Sequence, residues 1–358
     1  MKSQNTCLTN LDNAHTDITN VLGELLKAEF GEKVSSITKL SGGINCEAFK
    51  VTTDKNKAYF AKKYNRRKGD NRNRLSTEFS GLSFLWANGI RNVPEPLLSC
   101  EQFDVAIYKF INGVKILPGR ITRGDIDEAA DFATRLHSLI ESRGAEIQPI
   151  ASEACFSSQS YIDCVESRVD RLKKIILKGC IFDSLRAYLE NEFIPFFNVL
   201  KKSVIQKNKA SGPGINRLLP IGERTLSASD FGFHNAIKIE DGKLFFVDFE
   251  YYGWDDPVKM IADFYLQPAV QVPVEYREYF FKKVRSNYQE GVELERRLSM
   301  IYPILGLKWC LIILNIFFRV DDGEAKEEIC FEHLDKSIKK FKEIKNEVAI
   351  NAFPIILE

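Results

Sequence analysis

Three polar residues that could carry chemistry lie in one short stretch, LSASDFGFHNAIKIEDGKLFFVDFEYYGWDDP, residues 226–257. Asp230 and Asn235 are five positions apart in a glycine-containing segment, and Asp248 follows thirteen positions later, at the end of an apolar run. The segments AIKIE and KLFFV flank an Asp-Gly pair, which predicts a β-hairpin between Asn235 and Asp248. A hairpin returns the chain, so we expect these two side chains to lie side by side.

The three residue types suit phosphoryl transfer. Mg²⁺ prefers oxygen ligands, commonly one or two carboxylates together with phosphate oxygens, and Asn235 and Asp248 would supply oxygen atoms. A carboxylate such as Asp230 can accept or orient the proton of an attacking hydroxyl group. Any one of these residues alone is more simply explained as part of a turn or a strand end. Their combination favours a catalytic and metal-binding set, and His234 in the same loop is a candidate contact for substrate or phosphate.

The paired segments DFGFHNAI and FVDFEYYGWDDPVKMIADF resemble the motifs of the aminoglycoside phosphotransferase and choline kinase superfamily, which has a protein-kinase-like fold. Within it, they are similar to bacterial phosphotransferases of unassigned substrate. The resemblance implies that Asp230 is the catalytic base and that Asn235 and Asp248 hold Mg²⁺. It also implies that Asp256 and Asp263 are structural, supporting the loop or capping a helix.

The first part of the chain resembles the nucleotide-binding lobe of the same superfamily. LSGGINCEAFKV, residues 40–51, is similar to its glycine-rich turn, in which backbone N–H groups approach phosphate oxygens. In this turn, the resemblance assigns nucleotide binding to Gly42, Gly43 and Asn45. In VAIYKFINGVKI, residues 105–116, it implies a hinge that reads the adenine edge through the carbonyl of Lys109 and the N–H of Ile111.

The third predicted strand holds two candidates for the lysine that reaches the nucleotide phosphates. Lys62 and Lys63 point to opposite faces of a strand. The superfamily often has an aromatic or apolar residue two positions before this lysine. Phe60 therefore favours Lys62, while Ala61 leaves Lys63 open. Glu78, on the helix that follows, matches the glutamate that pairs with the lysine.

The sequence departs from the superfamily pattern at two positions. Ala228 stands where a histidine usually braces the loop, two residues before the predicted base. Glu250 stands where protein kinases have glycine, a change that is common in small-molecule kinases of this fold. The chain also runs from Asp248 to Pro257 without an activation segment, so we do not expect protein kinase activity.

The elements that would position these residues form two lobes of an α+β fold. Residues 1–112 predict a nucleotide-binding lobe with a mostly antiparallel sheet and a central helix at 73–88. The predicted strands are VSSITKL, EAFKVTT, KAYFAKKY and two more within 93–111, and a further helix precedes them at 16–29. Residues 113–358 predict a mainly helical lobe that carries the hairpin, the metal site and acceptor-binding helices. Its helices are predicted at 124–141, 160–178, 183–203, 257–267, 274–290, 296–320 and 324–347.

The composition argues against a nucleic-acid binder, a secreted protein and a membrane protein. The chain has 50 lysines and arginines against 49 acidic residues, so it lacks the basic bias of a nucleic-acid binder. Eight cysteines at wide, irregular spacings predict reduced thiols in a cytoplasmic protein, and the polar N-terminus does not resemble a signal peptide. The most apolar stretch, residues 301–318, is interrupted by Pro303, Lys308 and Asn315. We expect a buried core helix there rather than a membrane contact.

These features predict an ATP- or GTP-dependent phosphotransferase that moves the γ-phosphoryl group to a hydroxyl of a small molecule. The acceptor is open among sugars, amino alcohols such as choline or ethanolamine, and aminoglycosides. Cationic acceptors usually need acidic or aromatic walls, and nothing in the sequence shows such residues to be clustered. One alternative is a nucleotide-binding pseudokinase, suggested by Ala228. Another is a hydrolase that uses Asp230 and Asp248, which leaves the first lobe unexplained.

Overall fold

A computed structural model describes residues 17–350 of the chain, apart from residues 41, 42, 44, 67–69, 176, 178, 211, 213 and 290. The described residues form a sheet lobe followed by a larger helical lobe, which confirms the predicted α+β class. Gly42 of the predicted glycine-rich turn lies outside the described residues.

The sheet lobe contains the predicted strands and both predicted helices. The strands are β1 (Val34–Leu40), β2 (Cys46–Thr53), β3 (Ala58–Tyr64), β4 (Pro96–Cys100) and β5 (Val105–Lys109). They pair antiparallel in the spatial order β1-β2-β3-β5-β4. The helices are α1 (Ile18–Phe30) and α2 (Arg74–Ala87).

The two faces of this sheet contribute to separate cores, because successive side chains of a strand point to opposite faces. On β5, Val105 and Ile107 pack in the core that contains the apolar face of α1. Ala106 and Tyr108 belong instead to the core shared by α2 and the helical lobe. Helix α2 therefore lies between the sheet and the second lobe, where its side chains can reach residues of both.

The helical lobe contains every helix predicted for it. These are α3 (Arg123–Ser138), α4 (Ser158–Lys173), α5 (Cys180–Tyr188), α6 (Ile194–Ala210), α7 (Pro257–Leu266), α8 (Val274–Arg285), α9 (Gly291–Ile313), α10 (Ile316–Asp321) and α11 (Glu328–Ala349). The helix predicted at 183–203 is α5 and α6, joined by a π-helical turn at Leu189–Phe193. The helix predicted at 296–320 is divided into α9 and α10 by a turn at residues 314 and 315.

The most apolar part of the sequence lies in α9 and α10. The segment Gly291–Asp321 is long and apolar enough to cross a membrane, with a mean hydropathy of 1.9 over its most apolar window, but 72% of that window is buried inside the protein. Helix α9 contacts α4, α6, α7 and α11. The predicted core helix is therefore confirmed, and packing against these helices explains its apolar composition.

Short strands position the chemistry-bearing segment. They are β6 (Val114–Lys115), β7 (Thr225–Ser227), β8 (Ala236–Lys238), β9 (Leu244–Phe246) and β10 (Gly253–Asp255). Strands β8 and β9 form the predicted hairpin, to which β6 adds a third strand, and β7 pairs with β10. The β6 and β7–β10 pairings were not predicted, because strands of two or three residues are too short for a recognisable alternation.

Candidate active site

Asp230 lies in the loop between β7 and β8, and residues of that loop hold its carboxylate. The Nε2 atom of His234 lies 3.2 Å from one carboxylate oxygen. The Nδ2 group of Asn235 donates to the other oxygen at 3.1 Å and to the Asp230 carbonyl at 3.0 Å. Burial alone would raise the pKa of Asp230, but these hydrogen bonds and the charges of His234 and Lys259 hold the pKa below its ordinary value. The carboxyl group is thus deprotonated at neutral pH, as a general base must be.

The predicted hairpin places the Asn235 backbone opposite Val247, the residue before Asp248. The N–H of Val247 donates to the Asn235 carbonyl at 2.9 Å. Asp248 itself has a left-handed backbone conformation, with φ at 69°, which is uncommon for a residue other than glycine. Its carboxylate reaches the sheet lobe at this turn, where Oδ1 lies 2.6 Å from the Nζ atom of Lys62.

Lys62, on β3, is the centre of a buried ion-pair network. Its ammonium lies 2.7 Å from Glu78, 2.6 Å from Asp248 and 3.4 Å from Glu250, and its side chain is only 4% exposed. Burial alone would lower the pKa of Lys62, but the three carboxylates outweigh it and hold the pKa well above its ordinary value. Lys63 has no ion pair within the described part of the chain. The geometry therefore places Lys62 in the buried network with Glu78 and Asp248, and its contact with nucleotide phosphates stays a prediction.

Glu78, on α2, joins three elements of the site. One of its carboxylate oxygens accepts from Lys62 and, at 2.8 Å, from the Tyr64 hydroxyl. The other accepts from the backbone N–H of Phe249 at 3.2 Å. Burial raises the pKa of Glu78. Glu78 therefore connects Lys62 to the turn after β9. Its pair with Lys62 is the lysine–glutamate pair that the sequence predicted.

Glu250 also belongs to this site, although the sequence predicted no contact for its side chain. Its side chain is 4% exposed, and one carboxylate oxygen accepts a 2.7 Å hydrogen bond from the Nδ2 group of Asn45. The same Nδ2 group lies 2.6 Å from the Tyr251 hydroxyl. Asn45 therefore links the turn between β1 and β2 to the segment after Asp248. Its predicted contact with nucleotide stays a prediction.

The carboxylates around Lys62 suit a divalent cation. Ligand oxygens of Glu78, Asp248 and Glu250 lie within 4.8 Å of one another. The Oε2 atom of Glu250 is buried and has no hydrogen-bond partner among the described residues. Mg²⁺ prefers such oxygen ligands, although the Lys62 ammonium and the buried Arg74 guanidinium, 3.6 Å from Glu250, already balance part of this charge. The carboxylates of Asp248 and Glu250 thus fit the predicted metal, and the contact of Asn235 with it stays a prediction.

Lys259, on α7, braces the loop of the predicted base in place of the missing histidine. Ala228, at the histidine position, is buried. The ammonium of Lys259 donates to the Ser229 hydroxyl at 3.0 Å and to Asp255 at 2.8 Å, and it lies 3.4 Å from Asp263. Asp263 lies four residues after the lysine on α7, which is the helical spacing for ion pairs, whereas Asp255 ends β10 just before that helix. The spacing of Lys259 and Asp263 is therefore a local signal in the sequence for part of this brace.

Comparison with known proteins finds solved structures of similar fold. No family model and no curated protein matches the sequence. A spectinomycin phosphotransferase, solved with ADP and spectinomycin, is 14% identical with a TM-score of 0.57 over 92% of this chain and 95% of its own. A choline kinase from Streptococcus pneumoniae is 16% identical with a TM-score of 0.57 over 90% and 98%. A Plasmodium vivax ethanolamine kinase is 16% identical with a TM-score of 0.57 over 86% and 81%.

The chain has a protein-kinase-like fold. The similarity to these structures extends over both lobes. The fold implied by the resemblance to the aminoglycoside phosphotransferase and choline kinase superfamily is thereby confirmed.

In this kinase-like fold, the predicted nucleotide contacts fall on the sheet lobe. Gly43 is exposed in the connection between β1 and β2, and Gly42 is outside the described residues. Lys109 ends β5, and Ile111 follows in the connection to β6. The roles of these residues in nucleotide binding stay predictions.

Asp256 and Asp263 have the structural roles that were expected. Asp256 caps the N-terminus of α7, where its side chain accepts from the Val258 N–H at 2.8 Å. Asp263 accepts from the Lys308 ammonium at 3.1 Å and from the Trp309 indole at 2.7 Å. Both acids therefore fasten α7 beneath the Asp230 loop.

A cavity of about 1900 Å³ adjoins Asp230 in this kinase-like fold. It is lined by Asn45 and Arg72 of the sheet lobe and by residues of α4, α7, α9 and α11. Pockets for one small ligand usually measure roughly 300–1,000 Å³. The cavity is therefore larger than a pocket for one small ligand needs to be.

Proposed function

We propose that this protein is a small-molecule kinase that transfers the γ-phosphoryl group of ATP to a hydroxyl group. The observation that carries the proposal is the buried network in which Lys62 and Glu78 of the sheet lobe contact Asp248 and Phe249 of the helical lobe. Such a network is costly to bury and suits a site where phosphates and a metal ion complete the charge balance. Solved structures of similar fold that contain ADP or ATP support the choice of donor.

Each lobe has its own task in this proposal. Residues 1–112 bind the nucleotide, with Lys62 held by Glu78 against the phosphates. The other nucleotide contacts in this lobe are Gly42, Gly43, Asn45, Lys109 and Ile111. Residues 113–358 bind the acceptor and carry the catalytic and metal-binding residues.

Asp230 acts on the acceptor. Its carboxylate accepts the hydroxyl proton as the oxygen attacks the γ-phosphorus atom, and ADP leaves as the bond to its bridging oxygen breaks. His234 and Asn235 orient Asp230 for this step through the hydrogen bonds described above. Asn235 and Asp248, with Glu250, would hold Mg²⁺, which when bound neutralises charge on the phosphates.

A non-catalytic pseudokinase is less well supported. That alternative was motivated by Ala228, where the superfamily has a bracing histidine. The Lys259 ammonium contacts the same loop through Ser229, so the loop has another brace and the lysine–glutamate and aspartate groups are intact.

Turnover of ATP with Mg²⁺ against a panel of hydroxyl compounds tests the proposal. The panel contains sugars, sugar acids, amino alcohols and aminoglycosides, with GTP as a parallel donor. We expect ADP release that depends on one acceptor class and a product heavier by one phosphoryl group. Nucleotide binding without transfer to any acceptor would favour the pseudokinase. Absence of nucleotide binding would contradict both functions.

Lys62→Met is expected to weaken Mg²⁺-dependent ATP binding about tenfold or more, because a hydrogen bond to a charged group contributes about 1.5–3 kcal/mol. Lys63→Met is the matched control and should change the affinity by about twofold or less, because Lys63 is half-buried on the opposite face of β3, away from the buried ion-pair network. Isothermal titration calorimetry measures both, and thermal unfolding checks that each variant is folded. Equal weakening by the two variants would show that Lys62 has no special role.

A further inference from the structure

The large cavity beside Asp230 is lined by more basic than acidic side chains. Ten lysine and arginine side chains line it, against seven aspartates and glutamates. Three of the basic side chains pair with carboxylates that do not line the cavity, namely Arg66 with Asp104, Lys259 with Asp255 and Lys336 with Glu332. The class of ligand that the cavity suits therefore depends on which of its cations lack a close partner.

Most carboxylates of this cavity are already paired with its own cations. The pairs are Asp70 with Arg72 at 2.7 Å, Glu153 with Arg168, Asp263 with Lys308 at 3.1 Å, and Glu324 with Arg319 at 3.6 Å. Of the other three, Asp230 is the proposed base, Asp322 is exposed to solvent, and Glu343 lies 3.8 Å from the Lys340 ammonium. A cationic acceptor would thus have to compete with the protein's own lysines and arginines for most of these carboxylates.

Aromatic rings of the cavity are also close to cations of the protein. The contacts, measured to the ring centroid, are Arg72 over Tyr251 at 5.3 Å, Arg171 over Phe318 at 4.6 Å and Lys308 over Trp309 at 6.0 Å. Recognition of an ammonium ligand by an aromatic ring requires the cation within about 6 Å of the centroid. The rings are therefore poorly placed to attract a second positive charge.

Lys340, on α11, has a buried ammonium group that lacks a close anionic partner within the described chain. It lines the cavity, and its side chain is only 5% exposed. In the part of the chain that the structure describes, the nearest carboxylate oxygen to its ammonium belongs to Glu343, 3.8 Å away. A buried ammonium without a close partner is unfavourable, and a negatively charged group of a ligand would relieve this cost.

We infer that the acceptor is an anion, a hydroxyl compound that carries a carboxylate or a phosphate group bound by Lys340. The inference rests on the proposed kinase function and specifies its substrate class. It separates this protein from the choline kinase and the spectinomycin phosphotransferase of similar fold, because choline and spectinomycin are cations.

Calorimetric titration of the protein saturated with Mg²⁺ and a non-hydrolysable ATP analogue tests this inference. The probes are glucuronate and glucose 1-phosphate as anions, inorganic phosphate as a minimal anion, glucose as the neutral compound, and glucosamine and choline as cations. We expect at least one anion to bind about tenfold or more tightly than the neutral and cationic probes, as a charge-assisted contact requires. A preference for glucuronate or for the phosphate compounds would distinguish the two anionic groups.

The variant pair for this experiment is Lys340→Met and Lys342→Met. Lys342 lies on the same helix but is exposed and does not line the cavity. Lys340→Met should weaken anion binding about tenfold or more, while Lys342→Met should leave it within about twofold. Thermal unfolding verifies that both variants are folded. If a variant does not fold, the affinities of the wild-type protein for the anionic, neutral and cationic probes still test the inference.

Three results would overturn the inference: tighter binding of glucosamine or choline, no saturable anion binding, or anion binding that Lys340→Met leaves unchanged. Failure of the kinase function would look different. Anions would then bind through Lys340 while no compound of the hydroxyl panel accepted phosphate. Transfer to a neutral or cationic acceptor would support the kinase and reject the anionic acceptor.

Discussion

Asp230→Asn is expected to slow phosphoryl transfer by about a hundredfold to ten-thousandfold, the range for loss of a general base. The amide keeps the size of the side chain and one oxygen that accepts a hydrogen bond, so contacts with Asn235 and His234 partly remain. It cannot take the proton of the acceptor hydroxyl. ADP release with the acceptor identified from the panel measures the rate, and calorimetry should show unchanged binding of Mg²⁺ and ATP.

Asp241→Asn is the matched control for this prediction. Asp241 lies in the turn of the same hairpin, and its side chain is half exposed and paired with Lys243. Its loss should leave transfer nearly unchanged, since exposed ion pairs contribute little. Normal transfer by Asp230→Asn would exclude Asp230 as the base. Simultaneous loss of transfer and nucleotide binding would indicate a structural role instead.

Lys259→Met is expected to lower the free energy of unfolding by about 3–5 kcal/mol, as removal of one partner of a buried ion pair does. Asp255 and Asp263 would remain buried without this cation, and burial already raises the pKa of Asp255. The Ser229 hydroxyl would also lose the hydrogen bond that it accepts from Lys259, so the loop of the proposed base would loosen. Urea denaturation measures the stability, and transfer should fall in the folded protein.

Two further variants test the cause of this loss. Lys259→Met combined with Asp255→Asn should recover part of the stability, because the double variant no longer buries that unpaired carboxylate. Lys243→Met removes a lysine from an exposed pair and should leave the stability nearly unchanged, since exposed ion pairs contribute little. If Lys259→Met unfolded at the same urea concentration as Lys243→Met, the proposed brace would be absent.

The site was predictable where its residues are close in the sequence. The Asp-Gly turn between two apolar-rich segments predicts a hairpin, and the hairpin places the Asn235 backbone opposite Val247, next to Asp248. The choice between Lys62 and Lys63 was open, because alternation places them on opposite faces without indicating which face meets the helical lobe. That face depends on α2, whose Glu78 contacts Lys62.

The sequence by itself determined the helices, the antiparallel strands and the hairpin, since these depend on periodicity and turn residues within a few positions of each other. Only the tertiary structure decided that Glu250 joins the Lys62 network, that Lys259 braces the loop at Ser229, and that the cavity beside Asp230 contains the buried Lys340 side chain. These features depend on which charges from distant segments are buried together. Burial sets the cost of an unpaired charge, and burial is a property of the packed chain rather than of local spacing.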